Sequence, residues 1–291
     1  NDTKYKKTVY YTLSKYNNII TIDSNNEYNT LEFVVKKNNS KNKNYDVTID
    51  PGHGGMDGGG ASGNYKETDF TMDISKKVKS NLEKAGITVK LTHDEGDIDK
   101  NHVMDEYNKG GRAVIPNEVK SKYTFSIHIN KSGSSKVKGI EVYTPSDINY
   151  DLAKDIVNNI TSNTSLGCSS NKVYKEFDGI YTHNFTESEV KSAIDGYDEK
   201  NYKHYNVTTK SNYLYMIRET GGFMTGAYVD NSNPDKIGVN PYYDSNIGNE
   251  SYLLELGYIS NSTDVNTLKE EQDALAKAIS DSIIKEINEK V

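Results

Sequence analysis

Two histidines and one glutamate, His53, Glu67 and His128, have the side-chain types to hold a divalent metal. His53 lies in the stretch VTIDPGHGGMDGGG (47–60), where a short apolar segment gives way to glycines. Asp50, Pro51 and Gly52 stop the strand, and the glycines that follow permit positive φ and close backbone approach, so the imidazole can be presented at a strand end. Glu67 comes next, at the entry to an amphipathic segment, and His128 ends the apolar run YTFSIHIN (123–130). Two imidazoles and a carboxylate form a hard-to-borderline donor set that suits Zn²⁺ with one coordination position left open, as in catalytic rather than structural sites. Spacing alone leaves two other readings standing. His53 is an exposed loop side chain without chemistry in one; in the other the glycines cradle a phosphate, although no GKS or GKT follows and neither nucleotide fingerprint fits.

Elements are needed to bring these residues together. The segment 69–84 places Phe70, Ile74, Val78 and Leu82 at four-residue intervals, with Thr68 as candidate N-cap and Gly86 just past the end, which predicts a helix buried on one face. Ile87, Val89 and Leu91 then alternate as a strand, so strand, helix and strand in succession imply a right-handed crossover and a parallel pair. A further strand is expected over 137–144 (VKGIEVYT), a helix around Leu152, Ile156 and Ile160, and an apolar strand at YLLELGYI, which carries Glu255. One long helix is expected from Asp264, with Leu268, Leu275, Ile279, Ile283 and Ile287 as its buried stripe. The fold class that follows is α/β: an open twisted, mostly parallel sheet flanked by helices, with a small N-terminal β element.

Four motifs occur in a telling order: PGHGGMDGGGA, the acidic residue in KETDF, SIHIN and LLELGYISN. Together they resemble the zinc-dependent N-acetylmuramoyl-L-alanine amidases of bacterial cell-wall hydrolysis, the amidase-3 family, from about residue 45 to the C-terminus. The resemblance implies that His53, Glu67 and His128 are the ligands of one Zn²⁺ per chain and that Glu255 is the catalytic carboxylate, taking a proton from water and delivering it to the departing amine. It implies peptidoglycan as substrate, cut between N-acetylmuramic acid and L-alanine of the stem peptide. A secreted or cell-envelope location in a bacterium is also implied, with a signal or anchor removed from this numbering. Ile129 stands where the family often has Ala, and Lys66 and Thr68 replace the usual neighbours of the ligand glutamate, changes that leave every ligating atom in place. A zinc peptidase acting on stem peptides would use the same ligand set and is the alternative. Two further classes are a glycosidase working through Glu67 and Glu255, whose activity would survive chelation, and a non-catalytic wall-binding relative.

The 291 residues suffice for one large α/β domain (45–291) plus a small β-rich segment and linker (1–44). A net charge of −7, without basic runs, argues against nucleic acid or an anionic membrane surface as partner. A single cysteine, Cys168, read as a small half-buried side chain, excludes an internal disulfide framework and a cysteine-rich zinc module. No run of eighteen apolar residues marks a transmembrane segment. A monomer is expected, and an activating partner protein, if one exists, is not identifiable.

Three short apolar segments between residues 5 and 35 read as antiparallel strands, expected to pack as extra strands against the main domain. Gly110 and Gly111 before Arg112 interrupt what the resemblance implies is a regular helix in that family. His93 and His102, in an acidic stretch, read as surface residues with an alternate-ligand role as the rival reading. Glu141 reads either as a carboxylate orienting a ligand imidazole or as a solvated outer-face residue. Compact members of the amidase-3 family run much more directly from a strand near Arg218 to the strand of Glu255, so the Tyr-, Asn- and Gly-rich region 177–250, which holds His183 and His204, resembles an insertion at the mouth of the site.

Overall fold

The computed structural model describes residues 45–55, 57–94, 111–113, 115–146, 148–195, 208–220 and 249–289, together with the backbone of three N-terminal strands. Those strands, β1 (Thr8–Leu13), β2 (Asn18–Asn25) and β3 (Thr30–Lys37), pair antiparallel in sequence order. They form a sheet of their own, separate from the central one. Short connections keep loop-closure entropy small and favour pairing with the immediate neighbour.

The central sheet has seven strands: β4 (Val47–Pro51), β7 (Val89–Leu91), β8 (Tyr123–Asn130), β9 (Ile140–Tyr143), β10 (Lys175–Phe177), β11 (Ile180–Tyr181) and β12 (Glu250–Tyr258). A two-residue hairpin, β5 (Ala61–Ser62) and β6 (Tyr65–Lys66), stands apart. The sheet order is β10-β11-β9-β12-β8-β4-β7. The β7/β4, β4/β8, β8/β12 and β9/β11 pairs are parallel, while β9/β12 and β10/β11 are antiparallel. This is the mostly parallel α/β sheet that the periodicities predict. Its central strands β4 and β8 are buried along almost their whole length, because parallel strands covered on both faces bury both sets of side chains.

Helix α1 (Thr68–Lys84) buries Phe70, Ile74, Val78 and Leu82 as its spacing requires, and Gly86 follows it at φ 83. The helix begins one residue earlier than a Thr68 cap would place it, with Glu67 itself as N-cap residue. Next come α2 (Ile115–Glu118), α3 (Asp151–Asn163), α4 (Glu187–Asp195) and α5 (Tyr215–Thr220). The segment around Arg218 is therefore helical and not a strand, closed locally by Arg218 N–H donating to the Leu214 carbonyl at 3.0 Å. At the C-terminus the expected single helix is two: α6 (Ser262–Glu270) and α7 (Gln272–Glu289). The break falls at Glu271, whose carboxylate accepts from the backbone N–H and the hydroxyl of Ser165 at 2.8 and 2.5 Å, so the chain turns there to fasten onto the loop after α3. Helix α7 packs against both α1 and α3, and Leu268, Leu275, Ile279 and Ile283 are fully buried.

One irregularity matters for the site. The register of β12 shifts between Glu255 and Tyr258, around Gly257 at φ 102, where an added Cβ would lie 3.1 Å from Asp264 Cβ. Asp264 accepts from the backbone N–H of Gly139 and of Tyr258, both at 2.8 Å, and so pins the bulge. A bulge directly after Glu255 re-aims the strand at the point where its side chain meets the cleft.

Candidate active site

His53, Glu67 and His128 come together at the C-terminal ends of β4 and β8 and at the N-terminus of α1. One ligating atom of each lies within 4.8 Å of the others, a grouping that could hold a metal ion. His53 sits at φ 62, a left-handed conformation that presents its ring off the strand end. A tight turn, with Gly54 and Asp57 exchanging backbone hydrogen bonds at 2.9 Å, brings Asp57 Oδ2 to 2.7 Å from His53 Nδ1. The carboxylate accepts from Nδ1–H and leaves Nε2 facing Glu67 Oε2 at 3.1 Å. Gly59 must be glycine: an added Cβ would lie 2.6 Å from His53 Cδ2 and 2.7 Å from Glu67 Oε2.

His128 is oriented from behind. Ser126 Oγ lies 2.6 Å from Asp50 Oδ2, and a carboxylate only accepts, so the hydroxyl proton goes to Asp50 and the serine oxygen accepts from His128 Nε2–H at 3.0 Å. Nδ1 is left facing Glu67 Oε1 at 2.9 Å. Asp50 is itself buried and held by Arg112 through Nε and Nη2 at 2.8 and 2.7 Å and by Thr92 Oγ1 at 2.7 Å. Burial alone would raise the Asp50 pKa, but the Arg112 charge and these hydrogen bonds hold it well below the usual carboxylate range. The chain Arg112–Asp50–Ser126–His128 is thus a tether that selects one imidazole tautomer.

Glu67 already accepts from the backbone N–H of Ile129 and of Gly60, each at 2.9 Å, and stands at the positive end of α1. Burial works against its charge, yet the hydrogen bonds from His128 and His53 keep it well below the usual range. His53 shows the complement: burial would lower its pKa, while Glu67 and Asp57 raise it to about 9. In the metal-free chain a proton therefore lies between His53 and Glu67. Two imidazole nitrogens turned on one anionic carboxylate, each ring fixed through its other nitrogen, fit a divalent cation in place of that proton.

Glu255 pairs in register with His128 on β8 and with Glu141 on β9. Its Oε2 is buried with no hydrogen-bond partner among the described residues. Desolvation, followed by the charges of Glu67 and Glu141, pushes its pKa well above the ordinary glutamate range. Glu141 matches neither of its expected roles. It is fully buried and accepts from Asn130 Nδ2 at 3.1 Å, the Tyr143 hydroxyl at 2.9 Å, the Ser169 hydroxyl at 2.7 Å and the Tyr258 hydroxyl, not from an imidazole. With none of its surface open to solvent, Glu141 is not an outer-face residue of β9.

A cleft of about 480 Å³ opens on Glu255 and Tyr258. Its other wall carries Tyr174, His183 and Tyr213, so part of the 177–250 region does border the site. His183 is buried. His93 is buried too, its Nε2–H donating to the Pro51 carbonyl at 2.8 Å, an acceptor that fixes the tautomer. It braces the β4 end from the side and is neither a surface residue nor part of the His–Glu–His group. Cys168 is exposed, and burial of part of its surroundings pushes its thiol pKa up. His102, His204 and Gly110 lie outside the described residues.

Sequence reasoning missed Asp50, which it took only as a strand stop, and Arg112, which it named only as the residue after the Gly110–Gly111 helix interruption. A charged residue inside an otherwise apolar strand was the available signal, but its partner is sixty-two positions away along the chain. Ser126→Ala, which removes the oxygen that fixes His128, is expected to weaken metal affinity by about 10–100-fold with little change in unfolding temperature. Competition against a chromophoric chelator measures it. Asp50→Ala, by contrast, strands a buried Arg112 and is expected to cost about 3–5 kcal/mol, read from denaturant unfolding.

The class of protein is set by an open α/β sheet that carries, at its strand ends, a His–Glu–His group able to hold a metal ion, with a glutamate in register beside it. The chain belongs to the amidase-3 family, N-acetylmuramoyl-L-alanine amidase, whose model matches residues 47–285. It is 33% identical over 117 residues to the "Probable cell wall amidase LytH" of Staphylococcus saprophyticus, a match covering 39% of this chain and 36% of that protein. It is 29% identical over 147 residues to the germination-specific N-acetylmuramoyl-L-alanine amidase of Bacillus subtilis, covering 46% of this chain and 59% of the other. The matched stretches thus span less than two thirds of either relative. Among solved structures, the N-acetylmuramoyl-L-alanine amidase AmiC2 of Nostoc punctiforme superposes with a TM-score of 0.53 at 25% identity, covering 83% of this chain and 96% of that one. Among the described residues no helix is long and apolar enough to cross a membrane.

Proposed function

We propose that the chain is a zinc-dependent amidase that hydrolyses the bond between N-acetylmuramic acid and L-alanine in peptidoglycan, acting at the bacterial cell wall. The observation that carries this reading is the convergence of His53, Glu67 and His128 on one point beside Glu255, whose Oε2 is buried and unpaired among the described residues. His53 Nε2, Glu67 and His128 Nδ1 would hold one Zn²⁺. Bound there, it supplies Lewis acidity, lowering the pKa of water and polarising the scissile carbonyl. Asp57 and Ser126 hold the two rings so that the ligating lone pairs stay aimed without reorganisation. The catalytic domain is taken as 45–291, with 1–44 as a separate β-rich segment and 177–250 as an insertion bordering the cleft.

Glu255 does the proton work. An amide resists hydrolysis because the carbonyl is a weak electrophile and the amine a poor leaving group, so a base must deprotonate water and an acid must protonate nitrogen. A carboxylate whose pKa is pushed up by burial is a better base once ionised and a ready donor once protonated, so one residue serves both steps in turn. The water oxygen bonds to the lactyl carbonyl carbon, the C–N bond breaks, and the proton taken by Glu255 passes to the departing nitrogen. The products are a lactyl carboxylate and a free α-amino group on L-alanine.

Digestion of purified peptidoglycan, with and without a chelator, followed by mass spectrometry tests the reading. Chelator-sensitive release of stem peptides with a free L-alanine amino group is expected. Cuts within the stem would make the protein a zinc peptidase, and chelator-resistant new reducing ends would make it a glycosidase.

A further inference from the structure

The large hydrophobic side chains that stay exposed among the described residues are Val173, Tyr174, Phe177 and Tyr213. Three of them, Val173, Tyr174 and Tyr213, line the cleft that opens on Glu255. Singly scattered apolar residues on a surface need no explanation, but a group gathered along one cleft does.

Tyr174, His183 and Tyr213 form a stack. Their ring centroids are 3.6 and 4.2 Å apart and both interplanar angles are 13°. His183, in the middle, is buried, and that burial holds its pKa below the usual histidine value despite the nearby Glu189, so the stack is uncharged at neutral pH. Three separate segments are tied together to make it. The Thr182 N–H donates to the Tyr174 carbonyl at 2.9 Å and the Tyr213 N–H donates to the His183 carbonyl at 2.7 Å. Arg218 Nη1 donates to the carbonyls of Asn212 and Tyr213 at 2.8 and 2.7 Å. Tyr174 also sits at φ 61, a left-handed conformation that is strained for a bulky residue and free for glycine. A tyrosine kept half-exposed on a strained backbone contributes little to the core, and strain of this kind gathers where a side chain must be presented to a ligand.

We infer that the Tyr174–His183–Tyr213 stack is a saccharide subsite, on which the C–H face of a pyranose ring of the glycan strand rests while the stem amide reaches Glu255. This rests on the amidase reading for the source of the sugar. A pyranose offers a flat patch of C–H groups rimmed by hydroxyls, which matches tyrosine rings that are apolar on the face and polar at the tip. Ser170 and Asn171, along the same wall, add polar atoms for those hydroxyls. Lys131 and Glu255 are the charged side chains in the lining, so a stem peptide rich in carboxylates would meet one cation there.

Tyr174→Gly is the informative variant, because glycine suits φ 61 and the fold should lose nothing when the ring goes. Binding of the β-1,4-linked N-acetylglucosamine tetrasaccharide to the full chain, followed by calorimetry or chemical shifts, is expected to weaken about ten-fold in Tyr174→Gly and in Tyr213→Ala, and to change little in Tyr174→Phe. On muropeptides, the ratio of kcat/KM for tetrasaccharide-bearing over single-muramoyl substrates should fall about ten-fold in Tyr174→Gly, whatever the stem length. No tetrasaccharide binding by the wild type, wild-type binding by Tyr174→Gly, or a loss that follows stem length would each overturn the proposal, the last in favour of a peptide subsite. A wild-type chain that cleaves no amide bond would defeat the amidase reading instead, and the tetrasaccharide titration would still decide the subsite.

Discussion

Glu255→Gln is expected to lower amide hydrolysis by about 10²-fold or more while the chain keeps its zinc and becomes more stable when metal-free. The three outcomes have separate causes. Gln preserves shape but has no basic oxygen, so the proton can neither be taken from water nor returned to nitrogen. Glu255 belongs to no ligating group in the structure, so metal content should stay at the wild-type level by elemental analysis. The stability change follows from linkage. The folded pKa lies well above 4.5, so above about pH 4.5 the unfolded chain releases a proton that the folded chain retains. Stability is then lost as pH rises from there toward the folded pKa, and Gln, which does not titrate, abolishes that loss. Metal-free Glu255→Gln should therefore melt at or above the wild-type temperature at pH 7, and the gap should close below pH 4.5. A variant that lost its metal would make Glu255 a ligand. One that kept full turnover would pass the proton to another group, with Glu141, in register across β9, the first to examine.

Glu67→Ala and His128→Ala should both abolish stoichiometric zinc binding and with it activity, but they should differ in stability. Glu67 ties together two imidazoles and the N–H groups of Ile129 and Gly60, so its loss leaves buried donors unpaired and is expected to cost about 3 kcal/mol in the metal-free chain. His128→Ala removes one partner of Glu67 and one of Ser126, yet the backbone donors to the carboxylate remain, so the metal-free cost should be smaller. Equilibrium dialysis against zinc and urea unfolding of chelated protein measure the two effects. Full zinc in either variant would remove that residue from the site.

The histidines, Glu67 and Glu255 were recognisable in the sequence because each sits in a short motif whose local chemistry is unusual: glycines around His53, a polar end to an apolar run at His128, a carboxylate inside an apolar strand at Glu255. The strand–helix–strand unit over residues 47–91 was equally plain, since period-2 and period-3.6 patterns are local properties of the chain. What those patterns do not carry is which strands become neighbours. The insertion of β12 between β8 and β9 sets Glu255 opposite both His128 and Glu141, and that order comes from packing across more than a hundred residues of sequence. For the same reason the Arg112–Asp50–Ser126 tether, the burial of His93 and the ring stack of Tyr174, His183 and Tyr213 appear only in three dimensions. Each joins residues far apart along the chain. The break at Glu271 belongs with them, because helix periodicity runs on through that residue and only its contact with Ser165 turns the chain. The sequence by itself determined the residue types of the site and the periodic elements, since both are written in near neighbours. Tertiary structure decided tautomers, pKa shifts and the wall of the cleft, because hydrogen bonding, burial and charge act through space between residues far apart in the chain.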